Sequence, residues 1–120
     1  MTTFRVAHDK LLAWVQEVFE RCGMEADLAR HGAETLVRSD ARGIATHGVI
    51  RVKAYSDKLR AGSLKARPEV RFETAHGVLH CHAGCGLGAA VGKLAVDASI
   101  KRARDGGAVI TILKDIGLVN

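Results

Sequence analysis

Thr46, His47, Arg51 and Tyr55 are the side chains whose types and spacing suit chemistry on a small carboxylic acid. Histidine titrates near neutrality, so His47 can give or take a proton at an alcohol or carbonyl oxygen. The planar guanidinium of Arg51 can hold a carboxylate through two parallel hydrogen bonds. If a helix runs through them, His47, Arg51 and Tyr55 stand at i, i+4 and i+8 on one face. That stripe would be roughly 12 Å long. Thr46 offers a hydroxyl as N-cap, which places His47 in the first turn. The positive end of the helix dipole there disfavours an imidazolium and favours a bound anion. A purely structural reading stays open: a first-turn histidine, a solvated arginine and a half-buried core ring.

The elements that must position these groups read as helices joined by tight glycine turns. Residues 8–22 carry Leu11, Leu12, Val15, Val18 and Phe19 at helical spacing, and Gly23 ends the run. Residues 25–41 form a second helix with Leu28, His31, Ala33, Leu36 and Val37 inward, and Gly43 follows as a left-handed cap. A third helix is predicted from Thr46 or His47 to Ala61, stopping at Gly62. Beyond the linker 63–67 and Pro68, the alternation from Val70 to Thr74 predicts a half-buried strand. Ala75, His76 and Gly77 make a hairpin turn, and Val78 to Cys81 a returning strand. A long helix follows over 87–105, with Ala89, Val91, Leu94, Ala95, Ala98 and Ile100 inward, then Gly106 and Gly107. Residues 108–113 form a continuous apolar run, short enough for a buried strand. The fold class expected is α/β: a helical N-terminal subdomain (1–62), then a hairpin, a long helix and the start of a sheet (63–120).

The run Ser39-Asp40-Ala41-Arg42-Gly43-Ile44-Ala45-Thr46-His47-Gly48-Val49-Ile50-Arg51, with Tyr55 and the helix end Leu59-Arg60-Ala61-Gly62, resembles the type 2 malate/L-lactate dehydrogenase family. That family also includes ureidoglycolate dehydrogenase, sulfolactate dehydrogenase and diketogulonate reductase. Its members carry a similar Arg-Gly-x-x-Ser/Thr-His-Gly motif with an arginine four residues after the histidine. The resemblance extends from about residue 8 to about residue 112. It implies NAD- or NADP-dependent interconversion of 2-hydroxy acids and 2-oxo acids, in a fold that is not of the Rossmann type. It further implies a catalytic or substrate-polarising role for His47, substrate contacts from Thr46, Arg51 and Tyr55, and a homodimer. The cofactor-binding residues are not assignable, because in the family most of them lie in sequence beyond these 120 residues. The family also places a second acid/base histidine in the loop after the strand matching 108–113. Here Lys114-Asp115-Ile116-Gly117-Leu118-Val119-Asn120 stands there instead, and no histidine follows His82. The chain is therefore expected to be a truncated N-terminal portion of such an enzyme, inactive by itself. A non-catalytic helical dimerisation or interaction module is the alternative.

Other constellations carry less. Gly84, Gly86 and Gly88 precede a helix but match neither G-x-G-x-x-G nor a P-loop. They are expected to let that helix start close against the hairpin. His76, His80, Cys81, His82 and Cys85 crowd within ten residues. Adjacent strand positions point to opposite faces, so at most His80, His82 and Cys85 could converge, and no metal is expected. The formal charge of +5 is spread among interleaved acids, and aromatics are 4% of the chain. That argues against a nucleic-acid platform and for a modest field attracting anionic substrates. Three unevenly spaced cysteines and an N-terminus without an apolar segment suggest reduced thiols in the cytoplasm. No apolar run approaches the 18 or so residues a bilayer requires, so no membrane partner is expected.

Overall fold

The computed structural model describes residues 3–117. Four helices and three strands follow in the order α1 (His8–Arg21), α2 (Ala26–Ala41), α3 (Val52–Ala61), β1 (Arg71–Ala75), β2 (Val78–His82), α4 (Gly88–Gly106) and β3 (Thr111–Lys114). Between α2 and α3 the chain makes two single 3₁₀ turns, Ala45–His47 and Val49–Arg51. This is the mixed α/β architecture expected, with the helical part first.

The first two helices end as the glycines predict. Gly23 and Gly43 adopt φ of +101° and +79°. After α1, the Gly23 N–H donates to Glu20 and the Met24 N–H to Phe19. After α2, the Gly43 N–H donates to Asp40 and the Ile44 N–H to Ser39. Both are Schellman closures, which a residue without Cβ adopts at least cost. Phe19 and Val15 of α1 are fully buried against Ala29, Ala33, Leu36 and Val37 of α2. The buried side of α2 is thus centred on Ala29, Gly32 and Ala33 rather than on Leu28 and His31, both only half-buried. A Cβ on Gly32 would stand 3.2 Å from the Phe19 ring, so the small residue is what lets the two helices approach. The same interior takes in Leu59 of α3, Leu64, Leu87 and Ala90, so α4 shares it with the first three helices.

The sheet order is β1-β2-β3, with β1 and β2 antiparallel and β2 and β3 parallel. His76 and Gly77 both have positive φ, which joins β1 to β2 by a two-residue hairpin whose turn twists with the strands. Cys81, Ala83, Val91 and Ala95 form a second small core where α4 lies on one face of the sheet. Ser99 and Thr111 add a hydroxyl–hydroxyl bond of 2.6 Å between α4 and β3. Three expectations need correcting. The strand after Val70 is not half-buried: Arg71 to Thr74 of β1 are all exposed, Phe72 at 42%. The run 108–113 is not a buried strand: β3 begins at Thr111, and Ile110 and Ile112 are 67% and 42% exposed. Among the described residues β3 pairs only with β2, so one strand edge is free and only one face has a helix on it. Ile100 likewise points outward, whereas Ala90 of the same helix is buried.

Candidate functional site

Residues 39–55 form the junction between α2 and α3, and the predicted unbroken helix from Thr46 is not there. Gly48 is extended (φ −96°, ψ −151°) and separates the two 3₁₀ turns, and α3 begins only at Val52. Thr46 is therefore not an N-cap. Its hydroxyl lies 2.9 Å from Nδ1 of His47 instead. The Thr46 carbonyl accepts a 2.8 Å hydrogen bond from Nε of Arg51. Thr46 thus holds the imidazole through its side chain and the guanidinium through its backbone. The stripe expected from helical periodicity is replaced by a shared anchor, which still places His47 and Arg51 beside one residue.

The four predicted side chains differ in their surroundings. Thr46 and His47 are exposed, while Arg51 and Tyr55 are half-buried. Arg51 has helical dihedrals at the N-cap of α3, so Tyr55, four residues on, follows it on the same side. The Tyr55 ring packs against the helical core. Since Nε of Arg51 is taken by Thr46, its two Nη groups are the ones available for a bidentate carboxylate. With Nδ1 of His47 held by Thr46, Nε2 is the ring nitrogen left for proton exchange. The arrangement can bind an acid and exchange a proton beside it.

Asp40 and Gly48 are the residues that sequence reasoning passed over. Oδ2 of Asp40 accepts the Val49 N–H at 2.8 Å, across nine residues. Gly48 is buried directly against that carboxylate, and any Cβ there would overlap it. Glycine permits this close approach, and φ does not demand it. One signal was present in the sequence: a carboxylate in the last turn of a helix opposes the helix dipole, so Asp40 is misplaced unless it serves another element. A cavity of about 440 Å³ lies alongside, walled by Phe4, Val6, His8 and Leu11 on one side and by Asp40 and Val49 on the other. His47 does not line it and stands in solvent.

The glycine loop holds the chain's own packing. A Cβ at Gly84 would meet the Glu69 carbonyl oxygen at 2.7 Å, and one at Gly86 would meet Pro68 and Val91 at 2.8 Å. At Gly88 it would meet Ile116 at 2.9 Å. These close approaches explain why glycine stands at each position: the loop packs tightly against Glu69, Pro68, Val91 and Ile116 at the start of α4. On the sheet, His82 bonds Glu73 at 2.8 Å, and this hydrogen bond, then the imidazole's charge, holds the Glu73 carboxyl below its ordinary range. Cys81 lies on the opposite face, where burial pushes its thiol pKa up. No group of three or more histidine, cysteine or acidic side chains converges among the described residues. No described helix is long and apolar enough to cross a membrane.

With this geometry in place, comparison with known proteins is decisive for family. Residues 6–117 match the malate/L-lactate dehydrogenase family model. The chain belongs to that family. It is 31% identical over 112 residues to malate dehydrogenase of Pyrococcus horikoshii, covering 92% of this chain and 31% of that protein. With ureidoglycolate dehydrogenase (NAD(+)) of Escherichia coli it shares 28% over 116 residues, or 94% of this chain and 33% of the relative. The solved malate dehydrogenase of P. horikoshii superimposes with a TM-score of 0.87 at 30% identity, over 94% of this chain and 33% of that one. Sulfolactate dehydrogenase of Methanocaldococcus jannaschii has the same fold, with a TM-score of 0.84 at 23% identity. The chain thus spans about a third of the length of its relatives, matching their N-terminal regions.

Proposed function

We propose that residues 46–55 form the acid-binding and proton-transfer part of an NAD- or NADP-dependent oxidoreductase that interconverts 2-hydroxy and 2-oxo acids. The observation that carries this is the double hold of Thr46 on His47 and Arg51. In this reading the Nη groups of Arg51 grip the substrate carboxylate. His47 Nε2 exchanges a proton with the neighbouring hydroxyl or carbonyl oxygen. Thr46 fixes the spacing between them, and Tyr55, one turn beyond Arg51, contacts the substrate from the core side. A nicotinamide supplies the hydride acceptor or donor when the complete family fold binds one. The chain spans only about a third of its relatives' length, so no step is assigned to that group here. The 120 residues alone are accordingly inactive as a dehydrogenase, because hydride transfer needs an oriented cofactor.

Family membership and the spread of exposed apolar residues at Phe4, Val6 and Trp14 support a homodimer built through the N-terminal arm and α1. The three free thiols are compatible with a cytoplasmic setting. The test of the site compares an acid with its uncharged analogue. Titrating the labelled chain with L-malate or L-lactate should move backbone resonances at 46–55. The corresponding amides, malamide and lactamide, should not. Equal response to acid and amide would remove the carboxylate clamp. In a parallel assay, NADH or NADPH with a panel of 2-oxo acids should give no turnover, and robust turnover would refute the inactivity of the chain alone. Self-association with no response to any acid would favour the non-catalytic dimerisation module.

A further inference from the structure

We propose that Asp40 is the positioning residue of this site. Its carboxylate keeps residues 44–51 off the α3 helix, so that His47 and Arg51 meet through Thr46. The consequence for ligand binding rests on the acid-site reading above, whereas the conformational half does not.

Three observations combine. The sequence from Thr46 to Ala61 has helical spacing throughout, and the N–H of Val49 in a continued helix would donate to the Ala45 carbonyl. In the structure that N–H is taken by Oδ2 of Asp40, and the Ala45 carbonyl accepts from Gly48 instead, closing a 3₁₀ turn. Gly48, extended and buried, lets the carboxylate come so near that a Cβ there would displace it. The side chain of one helix thereby caps the second 3₁₀ turn and breaks the next helix ahead of Val52. The break turns Thr46 so that its carbonyl reaches Arg51 Nε and its hydroxyl reaches His47. In a continuous helix the Thr46 carbonyl would accept from the Ile50 N–H, and Arg51 would lose its anchor. Asp40 bears an energetic cost for its place in the last turn of α2, where the helix dipole disfavours it. The bond to Val49 offsets that cost.

The experiment uses the 120-residue chain and its Asp40→Ala, Asp40→Asn and Gly48→Ala variants. Carbon-13 Cα shifts and sequential amide contacts at 45–51 report conformation, and L-malate titration reports binding. In Asp40→Ala, residues 46–51 are expected to take continuous helical shifts running into α3. Malate affinity is then expected to fall about tenfold, the equivalent of losing one charge-assisted hydrogen bond. Asp40→Asn retains an acceptor oxygen for Val49 and is expected to stay within about twofold of the parent chain. Gly48→Ala keeps the carboxylate but displaces it, and should show the same helical shifts. It decides the matter if Asp40→Ala does not fold. Parent-like shifts at 45–51 in both Asp40→Ala and Gly48→Ala would overturn the proposal, as would Asp40→Asn behaving like Asp40→Ala. Failure of the parent chain to bind malate would overturn the acid-site reading, with the shifts still deciding the role of Asp40.

Discussion

Replacing Arg51 by alanine removes two things that the structure separates. One is the Nε bond to the Thr46 carbonyl, at 2.8 Å and in an exposed setting where water can take its place. Its loss should alter stability by no more than about 0.5 kcal/mol. The other is the pair of Nη groups proposed to hold the substrate carboxylate. Hydrogen bonds to charged groups contribute about 1.5–3 kcal/mol each, and partial solvent access places these at the low end. Two such bonds amount to about 3 kcal/mol, or a loss of roughly 100-fold in malate affinity. Arg51→Lys should fall between, because a single ammonium cannot hold both the Thr46 carbonyl and a two-pronged carboxylate. Calorimetric titration with L-malate, together with thermal unfolding of each variant, measures both effects. Parent-like affinity in Arg51→Ala, with the fold intact, would refute the clamp. A large drop in stability with affinity retained would instead show that Arg51 serves the junction.

Further expectations follow from the cores and the sheet. Phe19→Ala empties the centre of the helical interior and should cost about 3–5 kcal/mol in denaturant unfolding. Gly32→Val drives a branched side chain into the Phe19 ring and should cost about 1–3 kcal/mol by the same measurement. Cys81 is buried with its thiol pKa raised, so thiol reagents at neutral pH should label it far more slowly than the half-buried Cys22 and Cys85, read by peptide mass spectrometry. Because Glu73 has a lowered pKa in the fold, its pair with His82 adds stability above the ordinary glutamate range. That contribution is lost as pH falls through the depressed value. Glu73→Gln should therefore flatten the acid limb of the stability profile slightly, and an unchanged limb would show that the pair contributes nothing.

The sequence by itself determined what depends on neighbours along the chain. Helix ends followed from Gly23, Gly43 and Gly62, because a residue without Cβ tolerates the left-handed turn that closes a helix. The hairpin at His76 and Gly77 was legible for a similar local reason, whereas the alternation from Val70 to Thr74 marked a strand but not its burial, since β1 is exposed from Arg71 to Thr74. The residues of the candidate site were also legible, through their chemistry and the motif around them. Tertiary structure decided how they are arranged. Helical periodicity placed His47, Arg51 and Tyr55 on one surface, yet a carboxylate nine residues before Val49 captured its N–H and broke that helix. No local pattern encodes a contact that exists only once α2 has ended and the chain has turned back on it. The exposure of Ile110 and Ile112 has the same origin. An apolar run states that a strand can be buried, while the elements packed on each face decide whether it is.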